Sequence, residues 1–295
     1  MRALVLMAAG MFLFSLADAQ AKYLTQTLNP LQIVWSRQLG LTAGVIVLLA
    51  MHGLRVLHTE HPKLQILRGA LAAGSATLFI VAVRYVPLAD AVAVSFVAPF
   101  VVTVFGALLL REPVGIRRWA AVIVGFIGTL IVIRPGGGVV HPAAFLVVIA
   151  ASLFAFRQIL SRHLAATDRT ATTVAYTALV SVVILTVPLP FVWQTPQTVT
   201  EVVLLAGLAC CAALGEFLVI KALEIGQAVV VAPVQYTLLL WGTLYGYLIF
   251  SQLPDGWTWV GALIIVATGL YTLHRERVVA RQAKNAPQEV AGSAD

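Results

Sequence analysis

The chain has 295 residues, of which 60% are hydrophobic and only 11% are charged, whereas an ordinary soluble domain has roughly 25% charged residues. So few charges cannot cover a globule with a polar surface, and a mean hydropathy of +0.95 argues against a soluble enzyme or a nucleic-acid-binding module. The composition indicates an all-α integral membrane protein, in which a net charge of +7 reflects Lys and Arg in cytoplasmic loops.

Ten segments of the chain are long and apolar enough to span a membrane, which takes about 20 mostly apolar residues per helix. In chain order they are residues 3–22, 30–51, 65–84, 88–110, 116–134, 143–163, 170–191, 200–222, 227–250 and 257–274. The first segment has features of a cleavable signal peptide, because Arg2 precedes an apolar run that ends in small residues. We expect it to be retained, since it has a counterpart in the second half of the chain.

The distribution of basic residues predicts the orientation of the chain in the membrane. Both termini and the even-numbered connections carry 15 Lys and Arg residues, with Arg68 and Arg157 counted among them, against three in the odd-numbered connections. Arg37 lies inside a span. Because basic loops stay in the cytoplasm, both termini are predicted to be cytoplasmic and the number of spans to be even.

The sequence repeats itself weakly at an offset of about 140 residues. The matching pairs include Leu13 with Leu153, Phe14 with Phe154, Gly106 with Gly246, and Trp119 with Trp259. Each half then holds five spans, in residues 3–134 and 142–275, followed by a cytoplasmic tail at 276–295. Because five is odd, the second half enters the membrane in the opposite sense, which is the inverted repeat of many secondary transporters.

Short motifs near the span ends carry a resemblance to a known family. They are Ala89-x-Ala91 through Pro99, Leu110-Arg111-Glu112-Pro113, Arg118-Trp119 with Gly125 and Gly128, Arg134-Pro135-Gly136, Tyr236-Thr237 with Trp241, and Trp257-Thr258-Trp259 through Tyr271. Together they resemble the drug/metabolite transporter superfamily and, within it, the EamA-type ten-helix carriers. The resemblance implies carriage of a small organic solute across the inner membrane. Gln252 departs from the pattern, since the family commonly has Glu there, as at Glu112.

Three charged residues inside spans are candidates for function. Arg37 lies seven residues into the second span, where a charge is costly. We therefore expect its side chain to face the interior of the bundle and to pair with Asp18 or with a substrate anion. The alternative is that the side chain extends to the membrane–water interface. Asp18 is four residues before Lys22, a spacing that favours an ion pair on one helix face, and a simple cap at the outer end of the first span is the alternative. Asp18 is also a candidate for coupling. Glu216 lies near the middle of the eighth span and is a candidate for proton coupling, or belongs to a local cluster with Lys221.

Paired prolines predict where the solute binds. Pro99 and Pro233 interrupt the fourth and ninth spans, which occupy matching positions in the two halves. The further candidate binding residues are Trp35, Ser95, Phe96, Tyr176, Gln235, Tyr236 and Trp241. Small-residue pairs indicate close helix packing, within the bundle or in a dimer, and they are Gly40-x-x-x-Gly44, Ala121-x-x-x-Gly125 and Gly242-x-x-x-Gly246.

The sequence therefore predicts a secondary active transporter that moves a small organic metabolite by alternating access, with proton coupling as an open possibility. The alternatives are a membrane enzyme acting on lipid and a passive channel. The expected partners are the small organic solute and the lipid bilayer. We expect no cofactor, no metal, no nucleic acid and no obligate protein partner. Cys210 and Cys211 are adjacent and cannot form a disulfide framework, and the glycine run at 136–138 lacks a nucleotide-binding pattern.

Overall fold

The computed structural model of the protein describes residues 1–109, 111, 114–134, 141–226 and 231–285, and within these ranges it contains helices and no β-strand. The α-helices are α1 (Arg2–Leu24), α2 (Pro30–His52), α3 (Pro62–Val83), α4 (Leu88–Ser95), α5 (Ala98–Leu109), α6 (Ile116–Ile133), α7 (Ala144–Leu164), α8 (Thr170–Thr186), α9 (Leu189–Val192), α10 (Val199–Ile225), α11 (Thr237–Phe250) and α12 (Gly256–Asn285). A 3-10 helix at Gly53–Leu57 follows α2, and another at Ala232–Tyr236 precedes α11.

Eight helical segments in the described part of the chain are long and apolar enough to cross a membrane. They are Arg2–Leu24, Pro30–Leu57, Pro62–Val83, Leu88–Leu109, Ile116–Ile133, Ala144–Leu164, Val199–Ile225 and Gly256–Arg275. The other two predicted spans contain the shorter helices α8 and α11, and residues 227–230 lie outside the described residues. The all-helical membrane class is confirmed, and the number of ten spans stays a prediction.

Two of the long helices have well-formed N-terminal caps. At the start of α2, Asn29 Oδ1 accepts a hydrogen bond from the Leu31 amide at 3.0 Å, and Pro30 occupies the first turn, where its missing N–H is not needed. At the start of α10, Thr198 Oγ1 accepts from the Glu201 amide at 3.2 Å, and the Glu201 carboxylate accepts from the Thr198 amide in return. These caps fix the register of the helices that carry Arg37 and Glu216.

Helices from the first part of the chain pack mainly on helices from the second part. α1 packs along α10, and α7 packs along α3; likewise α2 contacts α10, and α8 contacts α3. α1 also contacts α11, α7 contacts α5, and α6 packs against α12. The largest apolar core lies among α4, α5, α6, α7 and α12. Side chains on the facing surfaces of α1, α2, α3, α7 and α10 therefore meet inside the bundle.

Small residues allow close approach of several helices. A Cβ atom at Gly40 would overlap the backbone carbonyl of Ala209, so α2 and α10 touch at their backbones. A Cβ at Gly125 would overlap the ring of Phe100, whereas Gly44 has no atom of another residue within 4 Å of such a position. The predicted close packing is confirmed within the bundle for Gly40 and Gly125 and is absent at Gly44.

Polar side chains join elements at the end of the bundle where α1 finishes. Lys22 is 7% exposed, and its Nζ donates a hydrogen bond to the Val86 carbonyl at 2.6 Å. The expected ion pair between Lys22 and Asp18 is wrong, because Lys22 turns toward the connection between α3 and α4. Arg134 follows α6, and Asp255 precedes α12. An ion pair of 2.5 Å between Arg134 Nη2 and Asp255 Oδ2 joins these two connections.

A second polar group lies at the opposite end of the bundle, where α3 begins. Thr59 Oγ1 and Gln65 Nε2 both donate to Asp168 Oδ2, at 2.5 and 2.6 Å, and Asp168 belongs to the connection between α7 and α8. Burial acts to raise the pKa of the Asp168 carboxyl, but these hydrogen bonds and the field of His61 outweigh it and hold the pKa below 3.8. The two parts of the chain are thus tied together here through an ionised carboxylate.

Candidate functional site

Arg37 and Asp18 form an ion pair in the interior of the bundle. The cap at Asn29 starts α2 two turns before Arg37, whose Nη1 lies 3.1 Å from Asp18 Oδ1 of α1. Their side chains are only 19% and 9% exposed, and the Arg37 guanidinium also lies 6.0 Å from the centre of the Phe14 ring. Of the partners proposed for Arg37, the structure places Asp18 against it.

Two further charged side chains, Arg157 on α7 and Glu216 on α10, carry opposite charges. Arg157, on α7, is within electrostatic range of both Arg37 and Glu216 of α10. Its guanidinium lies 4.8 Å from the centre of the Phe154 ring, and its Nε is buried without a hydrogen-bond partner among the described residues. In that part of the chain Glu216 makes no ion pair within 4 Å. Both groups can therefore accept a further polar partner.

Glu216 does not belong to a local polar cluster with Lys221, which the sequence left open as an alternative. Lys221 Nζ and Glu224 Oε2 pair with each other at 2.7 Å on the exposed side of α10, with side chains 47% and 48% exposed. Glu216 instead acts electrostatically on Arg157 and on Arg68. It faces the bundle, whereas the Lys221 pair faces outward.

Arg68 completes the interior group of charges, and its guanidinium donates three hydrogen bonds to neighbouring helices. Its Nε donates to Ser161 Oγ at 2.7 Å, and its Nη1 donates to the Thr173 carbonyl at 3.3 Å and to Thr177 Oγ1. α3 thereby binds α7 and α8 through one side chain. Three guanidinium groups and two carboxylates, from five helices of both parts of the chain, define what we call the interior charge cluster: Asp18, Arg37, Arg68, Arg157 and Glu216.

Sequence reasoning assigned Arg157 and Arg68 to cytoplasmic connections, and for both this is wrong. Each lies on a helix of membrane-spanning length and reaches into the bundle. Arg157 lies inside the predicted span 143–163, where the cost of a charge in the membrane predicts a place in the bundle, as it does for Arg37. Arg68 was near the predicted start of its span, but α3 begins at Pro62 and carries it almost one turn deeper. Without Arg68 and Arg157, the termini and even-numbered connections still carry 13 basic residues, against three in the odd-numbered connections.

The helix interruptions predicted from Pro99 and Pro233 are both present. α4 ends at Ser95 and α5 begins at Ala98, and the 3-10 segment Ala232–Tyr236 precedes α11. Ser95 Oγ donates to a carbonyl within its own helix, while Pro99 and Gln235 are exposed.

The two interruptions meet through an aromatic contact. The rings of Phe96 and Tyr236 lie 4.8 Å apart, and the Tyr236 hydroxyl fills the space beside Gly269 of α12. No hydrogen bond or ring contact joins this pair to the interior charge cluster in the described residues.

The remaining aromatic candidates are dispersed. Trp35 Nε1 donates to Thr186 Oγ1 at 2.9 Å near the end of α8, whereas Tyr176, ten residues earlier on α8, donates to the Leu57 carbonyl at 3.2 Å. The structure therefore places the Trp35 ring of α2 at the C-terminal end of α8 and Tyr176 ten residues earlier on α8. Trp241 packs edge-on against Phe12, with ring centres 5.1 Å apart. Its Nε1 is buried without a partner among the described residues.

The interior charge cluster offers guanidinium and carboxylate groups, both of which can hydrogen-bond a polar group. Among the described residues no group of three or more His, Cys, Asp or Glu side chains could hold a metal ion. A cleft of about 500 Å³ lies where α1 begins and α10 ends, lined by residues such as Arg2 and Ile225 and by none of the predicted site residues. The interior charge cluster remains the chemically distinctive feature of the bundle.

Comparison with known proteins agrees with this fold. Residues 1–134 and 141–273 each match the EamA-like transporter family. The chain is 29% identical over 273 residues to the S-adenosylmethionine uptake transporter of Rickettsia bellii, covering 91% of this chain and 94% of that one. It is 32% identical over 231 residues to the riboflavin transporter of Vibrio cholerae, covering 78% and 77%. It is 27% identical over 259 residues to the pseudopaline exporter of Pseudomonas aeruginosa, covering 86% and 90%.

A solved structure supports the architecture independently. One crystal structure that shares 18% sequence identity superposes with a TM-score of 0.63, covering 94% of this chain and 98% of its own, which shows a common fold. The family matches span nearly the whole chain, and the relatives move small solutes. The protein is thus a multi-pass membrane transporter of a small metabolite and not an enzyme, and it belongs to the EamA-like transporter family.

Proposed function

We propose that this protein is a secondary transporter that moves a small organic metabolite across the inner membrane by alternating access. Its ten spans form two inverted halves, residues 3–134 and 142–275, with both termini and the tail at 276–295 in the cytoplasm. The match of both halves to one family model supports this arrangement, as does the reciprocal packing of α1 on α10 and of α7 on α3.

The interior charge cluster is the observation that carries the proposal. Charged groups inside a membrane protein are costly, and they mark substrate and ion pathways more often than packing sites. Here both halves contribute them, with Asp18, Arg37 and Arg68 from the first and Arg157 and Glu216 from the second. A rocking motion of one half against the other would change the distances within the interior charge cluster. Solute binding would thereby be coupled to the side of the membrane to which the binding site is open.

The relatives suggest which solutes to test first. S-adenosylmethionine and riboflavin are named for proteins that align over most of this chain, and both are organic molecules with a flat ring system. The direction of net flux follows from the coupling ion, for which Glu216 and Asp18 are the candidates. Because Asp18 is held by Arg37, Glu216 is the better placed of the two to exchange a proton.

Counterflow in proteoliposomes tests the proposal. Vesicles loaded with unlabelled S-adenosylmethionine or riboflavin should take up the labelled compound from outside transiently, and the rate should saturate with concentration. Glu216→Gln should abolish uphill transport while leaving counterflow largely intact, because exchange need not move a net proton. Glu224→Gln on the exposed face of α10 is the matched control and should leave both activities unchanged. Uptake that rises linearly without saturation would indicate a channel and would refute the carrier mechanism.

The aromatic pair at the helix interruptions supplies a second test. If the solute passes between the halves at this point, Tyr236→Ala and Gln235→Ala should slow exchange much more than Trp257→Ala. Trp257 is 60% exposed and is assigned to the membrane interface. Equal effects of the three substitutions would remove Phe96 and Tyr236 from the solute pathway.

A further inference from the structure

We propose that a groove between α6 and α12 binds one anionic phospholipid, with an acyl chain in the groove and the phosphate at Arg117. This inference goes beyond the proposed transport function and does not depend on the solute. α6 belongs to the first half of the chain and α12 to the second, so the bound lipid contacts both halves. The α6–α12 groove is a cleft of about 460 Å³ whose lining includes Arg117, Ala120, Ala121, Ala267, Thr268 and Tyr271.

The two helices touch far from the α6–α12 groove. A Cβ atom at Gly261 would lie 2.6 Å from the Gly128 carbonyl oxygen, so the backbones of α12 and α6 are in contact there. Just beyond this contact, the ion pair between Arg134 and Asp255 ties the same ends of the two helices together. Arg117 lies about 16 Å away from Gly128 along α6. At that end the three alanines of the lining leave the cleft between the helices.

The α6–α12 groove opens on a surface that faces the bilayer. α6 and the first 20 residues of α12 are both segments long and apolar enough to cross a membrane. Val124 in the groove wall is exposed, as are Ile127 further along α6 and Leu263 of α12. Exposed apolar side chains on such helices contact hydrocarbon, and a groove left unfilled would lose dispersion contacts. An acyl chain of a neighbouring lipid supplies those contacts along the alanine-lined walls.

A cationic end of the groove selects an anionic lipid. Arg117 lines the groove in the first turn of α6, where the membrane-spanning segment begins at Ile116. Arg117 is exposed, and its side chain has no hydrogen-bond or ion-pair partner in the described part of the chain. A lipid phosphate at this depth would accept charge-assisted hydrogen bonds from the guanidinium.

α12 brings further donors to the same membrane depth. Tyr271 lines the groove and is half-exposed, and tyrosine is enriched at the headgroup level of membranes. Arg275 lies one helical turn later on the same face and ends the membrane-spanning segment. The headgroup is therefore flanked by basic residues of two helices. A second copy of the chain fits less well, because a two-fold dimer through this groove would place both copies of Arg117 at one depth, where they repel.

Native mass spectrometry of the full-length protein in detergent tests the site. Delipidated protein is titrated with dioleoyl phosphatidylglycerol, which is anionic, and with dioleoyl phosphatidylethanolamine, which has the same chains and no net charge. We expect one phosphatidylglycerol molecule to bind at least about tenfold more tightly than phosphatidylethanolamine, because two basic residues lie at the headgroup. Inorganic phosphate at the same concentration should not displace the lipid, since it has no acyl chain.

Variants then assign the contacts. Arg117→Gln should lower the ratio of the two lipid affinities by about fivefold, and Arg275→Gln should lower it less because Arg275 does not line the groove. Ala267→Leu should fill the groove and weaken binding of both lipids while keeping their ratio. Arg169→Gln at the exposed start of α8 and Ala43→Leu at an exposed position of α2 are the matched controls. The melting temperature of each variant without added lipid separates loss of binding from loss of folding.

Several results would overturn the inference. It is wrong if the unchanged protein binds the two lipids alike, if Arg117→Gln keeps the full preference, or if Ala267→Leu binds both lipids as tightly as before. Displacement of the lipid by inorganic phosphate would show a site for a free anion, and a dimer that Ala267→Leu dissociates would place a second copy in the groove. Solute counterflow is a separate readout: its absence with the lipid preference intact would refute the transport proposal and leave this site standing.

Discussion

Removing one member of the Asp18–Arg37 pair should destabilise the protein strongly, and removing both should destabilise it much less. At 3.1 Å and an effective dielectric constant of about 20, the attraction between the two charges is about 5 kcal/mol before desolvation is subtracted. Since the side chains are only 19% and 9% exposed, Asp18→Asn or Arg37→Gln leaves a buried charge without a partner. The expected loss in the free energy of unfolding is about 3–5 kcal/mol for each single variant.

The double variant Asp18→Asn/Arg37→Gln provides the decisive comparison. It carries no buried charge at this position and should lose only about 1 kcal/mol, the net contribution of an ordinary hydrogen bond. Free energies of unfolding measured by steric trapping in detergent micelles would give all three values and the coupling between the two sites. If the double variant were as unstable as the sum of the single ones, the two side chains would act independently, and the ion pair would not account for the loss of stability in the single variants.

Three further predictions concern packing, pH and topology. Gly40→Ala should lower the melting temperature by several degrees because its Cβ would overlap a carbonyl of α10, whereas Gly44→Ala, with free space around it, should not; equal effects would contradict the backbone contact. The pKa of the Asp168 carboxyl is lower in the folded protein than its ordinary value of 3.8, so the ionised carboxylate stabilises the fold fully above pH 3.8, and this stabilisation is lost as the pH falls through the folded pKa. Asp168→Asn should therefore remove the part of the fall in melting temperature that Asp168 causes at acid pH. If the melting temperature of the variant depended on pH as that of the unchanged protein does, the contacts of Asp168 with Thr59 and Gln65 would not contribute to stability. Cysteines introduced into residues 135–141 should react with impermeant reagents from outside, and those in 275–295 should not; the reverse pattern would invert the assigned orientation.

Hydropathy located most of the helices, because the length of a span is set by the membrane and needs no knowledge of its neighbours. The helix start at Pro30 and the interruption at Pro99 follow from local chemistry, since proline lacks the N–H that a helix interior requires. The contact between Phe96 and Tyr236 was foreseeable only in part: the matching prolines indicated that the two interruptions correspond, but the ring contact depends on how α4 packs against α11.

The polar partners were harder to predict. Spacing alone suggested that Asp18 and Lys22 pair, yet Asp18 binds Arg37, and Lys22 binds the Val86 carbonyl. Both partners lie on other elements, and intrahelical spacing carries no information about them. Periodicity cannot show either that Arg68 binds Ser161 and Thr177, because those contacts depend on the packing of α3 against α7 and α8.

The crossed packing of the two halves has a consequence for how the chain is made. The ribosome completes α1 long before it begins α10, the helix against which α1 finally packs. Asp18 meets its partner 19 residues later, as soon as α2 is inserted, but the Val86 carbonyl that receives Lys22 lies 64 residues further along the chain. Arg37 is therefore available to the Asp18 carboxylate once α2 has been made, whereas Lys22 cannot reach its final partner until the chain has been made as far as Val86.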